Sequence, residues 1–171
     1  MQGFVQVYTG DGKGKTTAAL GLAIRAAGAG MRVYIGQLVK NAQYSELAIL
    51  HRLADCITVE QFGLGCRLLT EPTPEDVAAA KHGLAAIGQA MQSGRYDLVV
   101  ADEANVAVAL HLLDEADLLA LIDRRPPGVE LVLTGRGAPP GVIARADLVT
   151  EMRSHKHYYD RGIEARKGIE G

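Results

Sequence analysis

Thr9-Gly10-Asp11-Gly12-Lys13-Gly14-Lys15-Thr16-Thr17 follows a short alternating apolar run, Phe4-Val5-Gln6-Val7-Tyr8, and precedes a helix-like run from Thr17 to Ala29. Strand, glycine-rich turn, Gly-Lys-Thr and helix is the layout of a phosphate-binding P-loop. Glycines let the backbone curl until successive N–H groups point at one anion. The following helix adds the partial positive charge of its N-terminus. Lys15 is placed to reach phosphate oxygens, and the Thr16 hydroxyl to ligate Mg²⁺. The usual spacing G-x-x-x-x-G-K-[ST] puts its first glycine at position 9, which is Thr9 here. Gly10 and Gly12 are expected to supply the missing flexibility. A plain turn capping a helix is the bland alternative, but it has no need of Lys13, Lys15 and Thr16 in this order.

Working outward, the chain has 171 residues, which fits one domain. A chain of that size buries roughly 70% of its unfolded surface, so a sizeable core is possible. A net charge of −2 gives no global attraction to nucleic acid or anionic membrane. Cys56 and Cys66 match no common zinc or redox spacing. No apolar run approaches a membrane span, and the first residues lead directly into a strand with no signal-peptide pattern. The expectation is a cytoplasmic protein.

Further strands are expected at 32–39, 57–62, 96–101, 129–134 and 147–152. Helices are expected at 46–53, from the Thr73-Pro74-Glu75-Asp76 start to Ser93-Gly94, from Asp102-Glu103 through Leu113, at 114–125 and at 139–145. The first helix is apolar almost all round and reads as buried, with Arg25 its lone charge, either snorkelling to the surface or serving a site or a subunit contact. Alternating strands and helices give an α/β fold, a single P-loop NTPase-like (RecA-like) domain with a mostly parallel sheet flanked by helices. In such sheets, ligands sit at the carboxyl ends of strands. The P-loop, the Lys40 loop, the loop 63–69, Asp102-Glu103 and Gly135-Arg136 all fall there.

Leu98-Val99-Val100-Ala101-Asp102-Glu103 is an apolar strand closed by two acids. A buried carboxylate needs a cation, and Mg²⁺ on phosphates supplies one. One acid is expected to hold Mg²⁺ directly or through water, and the other to orient a group near the γ-phosphate. Arg136, between two glycines after a strand, is suited to neutralise triphosphate oxygens in a bidentate fork. His155-Lys156-His157 has the charge for a further phosphate contact. No guanine-reading N/TKxD motif stands in its usual place, which favours ATP over GTP. The residues alone stop at a Mg-nucleotide-binding P-loop protein, a class spanning ATPases, GTPases, kinases and other transferases.

The stretch 9–19 also closely resembles the P-loop of the P-loop corrinoid adenosyltransferases (ATP:cob(I)alamin or cob(I)yrinic acid a,c-diamide adenosyltransferases). Further resemblance runs through Arg25, Gln37-Leu38-Val39-Lys40, Asp102-Glu103-Ala104-Asn105, Leu133-Thr134-Gly135-Arg136-Gly137, the segment 146–153, Lys156-His157 and the segment 162–170. It therefore covers residues 1–171 as one P-loop adenosyltransferase domain. The resemblance implies transfer of the 5′-deoxyadenosyl group of ATP to Co(I) of a corrinoid, with release of triphosphate. It implies that Thr9, Gly10, Asp11, Gly12, Lys13, Gly14, Lys15, Thr16 and Thr17 surround the nucleotide. Thr16 and Glu103 would hold Mg²⁺, with Asp102 supporting them. Lys15, Thr16, Glu103 and Arg136 would act on the reacting ATP, and Arg25 matches a family arginine. A homodimer and an electron-donor reductase are the partners it implies, in adenosylcobalamin biosynthesis or salvage. In well-known members, aromatic side chains after a Gly-x-Gly pack on the corrin face; here Gly63-Leu64-Gly65 is followed by Cys66-Arg67-Leu68. An apolar corrinoid lid of Phe62, Leu64, Cys66 and Leu68 is the expectation instead. A P-loop ATPase in which Glu103 activates water, and a nucleotide-sensing module without turnover, are the alternatives.

Overall fold

The computed structural model describes residues 2–42, 44–64 and 71–170. Six strands form one sheet: β1 (Val5–Thr9), β2 (Val33–Gln37), β3 (Ile57–Gln61), β4 (Leu98–Asp102), β5 (Glu130–Thr134) and β6 (Leu148–Glu151). Their spatial order is β3-β2-β4-β5-β1-β6. Every pairing is parallel. The helices are α1 (Lys15–Gly28), α2 (Ser45–Arg52), α3 (Pro74–Gln92), α4 (Ala104–Ala109), α5 (Glu115–Asp123) and α6 (Pro140–Arg145), with a 3₁₀ turn at Tyr158–Arg161.

The strands are apolar on both faces because helices cover both, as a parallel sheet requires. Leu98, Val100, Val132, Val33 and Ile35 pack with Ala19, Ala23 and Ala26 of α1 and Leu50 of α2. Their neighbours of opposite parity, Val99, Ala101, Leu131, Leu133 and Tyr34, pack with Ala80, Ile87 and Met91 of α3, Leu118 and Leu121 of α5 and Val142 of α6. The period-two alternation of each strand thus feeds two cores, one per face.

Two expectations change. The first helix is not buried all round: only Lys15, Ala19, Ala23 and Ala26 are, and Ile24 stands 50% exposed. Alanines count as apolar without needing burial, so an outer-layer helix rich in them reads as an inner one. The helix after Glu103 ends at Ala109, not Leu113, because His111 takes a left-handed conformation (φ 56°). The chain then curls back so that Leu112 and Leu113 enter the core, both N–H groups donating to the Ala107 carbonyl. The sixth strand is exposed throughout, as an edge strand beyond the reach of the helices. Among the described residues no helix is long and apolar enough to cross a membrane.

Candidate functional site

The last residue of each strand is polar: Thr9, Gln37, Gln61, Asp102, Thr134 and Glu151. Parallel register brings these ends to one edge of the sheet. A row of hydrogen bonds crosses that edge. Gln61 Nε2 donates to Gln37 Oε1 (2.9 Å), Gln37 Nε2 to Asp102 Oδ2 (3.0 Å) and Thr134 Oγ1 to Asp102 Oδ1 (2.6 Å).

The P-loop leaves β1 against the end of β6. The Gly12 N–H donates to the Met152 carbonyl, and the Met152 N–H to the Thr9 carbonyl. A Cβ at Gly10 would stand 2.4 Å from the Met152 carbonyl oxygen, and one at Gly12 2.8 Å from the same atom. Both positions therefore need glycine. Position 9 does not, since Thr9 is still strand and its Oγ1 accepts from the Ala138 N–H. Gly14 (φ 120°) precedes α1, whose N-terminus has no side-chain cap. By contrast, α3 and α5 both begin with full capping boxes. The first-turn N–H groups of α1 are thus left for an anion.

Lys15 lies buried inside this loop, its Nζ donating to the carbonyls of Gly10 (2.6 Å) and Gly12 (2.7 Å). Burial pulls its pKa below the ordinary lysine value and Arg136 adds to that, against Glu103 and Asp11. The Thr16 hydroxyl donates to Asp102 Oδ1 (3.0 Å). Asp102 is 1% exposed and carries four donors, the fourth being Lys40 Nζ at 2.9 Å from Oδ2. Lys40 Nζ also reaches Thr16 Oγ1 (3.3 Å). Burial alone would lower the Lys40 pKa; Asp102, helped by Glu103 and Glu46, outweighs it and holds the ammonium above its ordinary value.

Glu103 adopts a left-handed backbone (φ 62°) as the N-cap of α4, a rare state for a residue with a side chain. Its N–H donates to Thr134 Oγ1 (2.9 Å), while its carboxylate accepts no hydrogen bond among the described residues. Burial pushes its pKa up, Asp102 pushes the same way, and Lys40, Lys15 and Arg136 oppose. Arg136 sits between Gly135 (φ 129°) and Gly137 (φ 66°), exposed and without an ion pair among the described residues. Gly135 is pressed on α4: its carbonyl accepts from the buried Asn105 Nδ2 (3.4 Å), and a Cβ there would meet the Val106 nitrogen at 2.8 Å.

Lys15, Thr16, Asp102, Glu103 and Arg136 are therefore gathered at one edge. Arg25 is not: it lies ten residues along α1, about 15 Å by helical rise, lining a hollow of ≈ 290 Å³ with Gln6, Leu22, Met31, Leu98 and Glu130. In the tail, His157 Nδ1 accepts from the Tyr159 N–H, and Tyr158 and Arg166 both engage Glu170. Phe62 packs edge-on against His82 and tightly on Gly83, so it belongs to α3 as much as to any lid; Leu64 is 56% exposed. Cys66 and Leu68 lie outside the described residues. The sequence reading missed Gln37 and Thr134 and left Lys40 in a loop. The available signal was that each closes, or directly follows, an apolar strand with a polar group.

A cation fits this arrangement. The Asp102 carboxylate accepts from the Thr16 hydroxyl, the neighbouring Glu103 carboxylate accepts no hydrogen bond among the described residues, and an ammonium already reaches both Thr16 and Asp102. Among the described residues no cluster of three or more His, Cys, Asp or Glu is found. A donor set of one or two carboxylates, a hydroxyl and phosphate oxygens suits Mg²⁺, which keeps several waters.

The family model described as ATP:corrinoid adenosyltransferase BtuR/CobO/CobP matches residues 1–171. The chain is 38% identical over 170 residues to a corrinoid adenosyltransferase of Pseudomonas aeruginosa, covering 99% of this chain and 84% of that one. It is 31% identical to a corrinoid adenosyltransferase of Escherichia coli K12, covering 99% and 86%. Among solved structures, a KaiC-like protein from Pyrococcus horikoshii OT3 superposes with a TM-score of 0.61 at 21% identity, covering 91% of this chain and 75% of that one. That likeness speaks for the fold.

Proposed function

The chain belongs to the ATP:corrinoid adenosyltransferase family, and from that membership we propose how its own residues carry out the transfer. It is a corrinoid adenosyltransferase, moving the adenosyl group of ATP to a corrinoid in cobalamin biosynthesis. The Co(I) of the corrinoid substrate supplies the electron pair that bonds to ribose C5′. The C5′–O bond breaks, and its electron pair leaves with triphosphate. No side chain need act as nucleophile. The protein's work is to align the two substrates and to stabilise charge on the departing triphosphate.

In this reading residues 1–171 are one P-loop domain, and residues 9–17 enclose the triphosphate. Lys15 exchanges the Gly10 and Gly12 carbonyls for phosphate oxygens. Arg136, exposed at the same edge and without an ion pair among the described residues, closes on them from the Gly135–Gly137 turn. Thr16 and Glu103 would hold Mg²⁺, with Asp102 in support, and the ion would supply positive charge to the triphosphate. Asp102 orients the Thr16 hydroxyl through their 3.0 Å hydrogen bond. The observation that carries the reading is this convergence of Lys15, Thr16, Asp102 and Glu103 under an uncapped helix N-terminus. Phe62 and Leu64 border the corrinoid side, Cys66 and Leu68 completing the lid in the sequence-based reading. A reductase outside this chain supplies Co(I). A cytoplasmic location accords with this chemistry. A homodimer is favoured by the edge strand β6, where Leu148 and Val149 are exposed together with Phe4 of the β1 side.

The test is spectroscopic loss of Co(I) on adding Mg-ATP, run with two arginine variants. Arg136→Ala should slow transfer by about a hundredfold, the usual cost of one charge-stabilising donor. Arg25→Ala should leave the rate of transfer unchanged, because it lies away from the phosphate edge. Equal effects of the two variants would overturn the site assignment.

A further inference from the structure

We propose that the Lys40 ammonium and the divalent cation are alternative occupants of one position, so that Lys40 makes nucleotide binding and cation binding depend on each other. The inference rests on the assignment of the cation given above, to Thr16 and Glu103 with Asp102 in support. Lys40 Nζ lies 2.9 Å from Asp102 Oδ2 and 3.3 Å from Thr16 Oγ1. Both side chains of the ion pair are nearly closed to solvent, at 13% and 1% exposure. A Mg²⁺ ion binds oxygen at about 2.0–2.1 Å. An ion on the Thr16 hydroxyl, supported by Asp102, would therefore compete with the ammonium for these two oxygens, and two cations repel strongly at such range. One must leave, and only the lysine has a flexible stem.

The charges around the position explain why the exchange needs both ligands. Lys15, Lys40 and Arg136 face Asp102 and Glu103, with Asp11 acting on Lys15 and Glu46 on Lys40. A divalent cation arriving alone meets an acid already paired and must displace the ammonium held on Asp102. Nucleotide arriving alone finds Lys40 held on Asp102. When both arrive, the cation takes over the carboxylates and the freed ammonium stays at the phosphate edge, where it adds a third basic group to Lys15 and Arg136. In its present place Nζ also lies 5.1 Å from the centroid of the Tyr44 ring. The backbone is fixed, the Lys40 carbonyl accepting from the Gly63 N–H (3.2 Å). The side chain can then move without the strand end moving.

The experiment titrates Mn²⁺ by electron paramagnetic resonance, with and without ATP, in the wild-type chain, Lys40→Met and Thr16→Val. In the wild type, ATP should tighten Mn²⁺ binding well beyond the affinity of the protein alone. In Lys40→Met, Mn²⁺ binding without ATP should become about tenfold tighter, and the strengthening by ATP should shrink by the same factor, an ordinary size for coupling between two ligands. Because Lys40→Met strips from buried Asp102 the cation it pairs with, a measurement that keeps the lysine stands beside it. With lysines carrying ¹³C-methyl groups, the Lys40 resonance, assigned by its loss in Lys40→Arg, should move when Mg²⁺ and ATP are added together and stay in place with Mg²⁺ alone. Unchanged Mn²⁺ affinity in Lys40→Met or an unmoved Lys40 resonance overturns the exchange. If Thr16→Val loses Mn²⁺ binding in the presence of ATP, the cation assignment stands whatever Lys40 does. If Thr16→Val binds Mn²⁺ as the wild type does, the cation assignment itself is wrong and the exchange falls with it.

Discussion

Lys15 shows how far a single side chain can be argued. Its ammonium rests on two carbonyls of its own loop, so removing it deletes a positive charge and leaves that loop without its internal tie. Lys15→Ala should weaken Mg-ATP binding by about 1.5–3 kcal/mol, roughly ten- to a hundredfold. Isothermal titration checks this, and an unchanged affinity would mean that the loop does not grip phosphate. A second residue-scale prediction lies away from the site. Burial, with the hydrogen bond to Glu60, raises the Tyr34 pKa above its ordinary value. A phenol with a higher pKa when folded ionises first in the unfolded chain. Its stabilising contribution is whole below about pH 10 and is lost as the pH rises further. Urea unfolding between pH 9 and 11 should show a steeper loss for the wild type than for Tyr34→Phe. The P-loop residues, the acid pair and Arg136 were legible in the sequence because local spacing defines them. Lys40, Gln37 and Thr134 were not, because their bonds to Asp102 exist only once β2, β4 and β5 are in register.

Helix α3 carries the prediction that belongs to an element. Its start was readable to the residue: Thr73 caps the Asp76 N–H, Asp76 returns the bond, and Pro74 opens the first turn. Thr73→Ala should cost about 1 kcal/mol. Two glycines inside the same helix then separate propensity from packing. A Cβ at Gly83 would stand 2.6 Å from Phe62 Cβ and 2.7 Å from Leu38 Cδ2, whereas one at Gly88 meets nothing nearer than Leu121 Cδ1 at 3.6 Å. Alanine favours a helix over glycine by up to about 1 kcal/mol. Gly88→Ala should accordingly raise stability by up to that amount. Gly83→Ala should lower it by roughly 1–3 kcal/mol because the Phe62 backbone must shift. Denaturant midpoints of the two variants, moving in opposite directions, check the claim. The misread elements fail for reasons of context. Helix α1 looked buried because alanine is apolar by composition, and α4 ran long because nothing local announces the left-handed turn at His111.

At the scale of the whole molecule, six parallel strands deliver six polar residues to one edge, the edge to which the chemistry is assigned in the proposal. The α/β alternation made this architecture readable before any coordinate, and with it the shared location of the loops. Strand order was not readable, since it depends on pairings between distant segments. That order sets the acid strand β4 two places from the P-loop strand β1, with Thr134 of the intervening β5 bonding both to Asp102 and, through its Oγ1, to the Glu103 N–H. The edge strand β6 closes the other side with Leu148 and Val149 exposed. Val149→Lys should leave the fold intact and, if a second copy covers this strand, shift the mass measured by light scattering toward the monomer; an unchanged dimer mass would place the interface elsewhere. The central claim concerns which bond of ATP breaks. It is tested most directly by ³¹P NMR of the products after anaerobic incubation of the protein with Mg-ATP and chemically generated cob(I)alamin. The account predicts inorganic triphosphate in equal amount to light-sensitive adenosylated corrinoid. ADP and phosphate, with Co(I) left untouched, would contradict it and return Glu103 to the role of activating water.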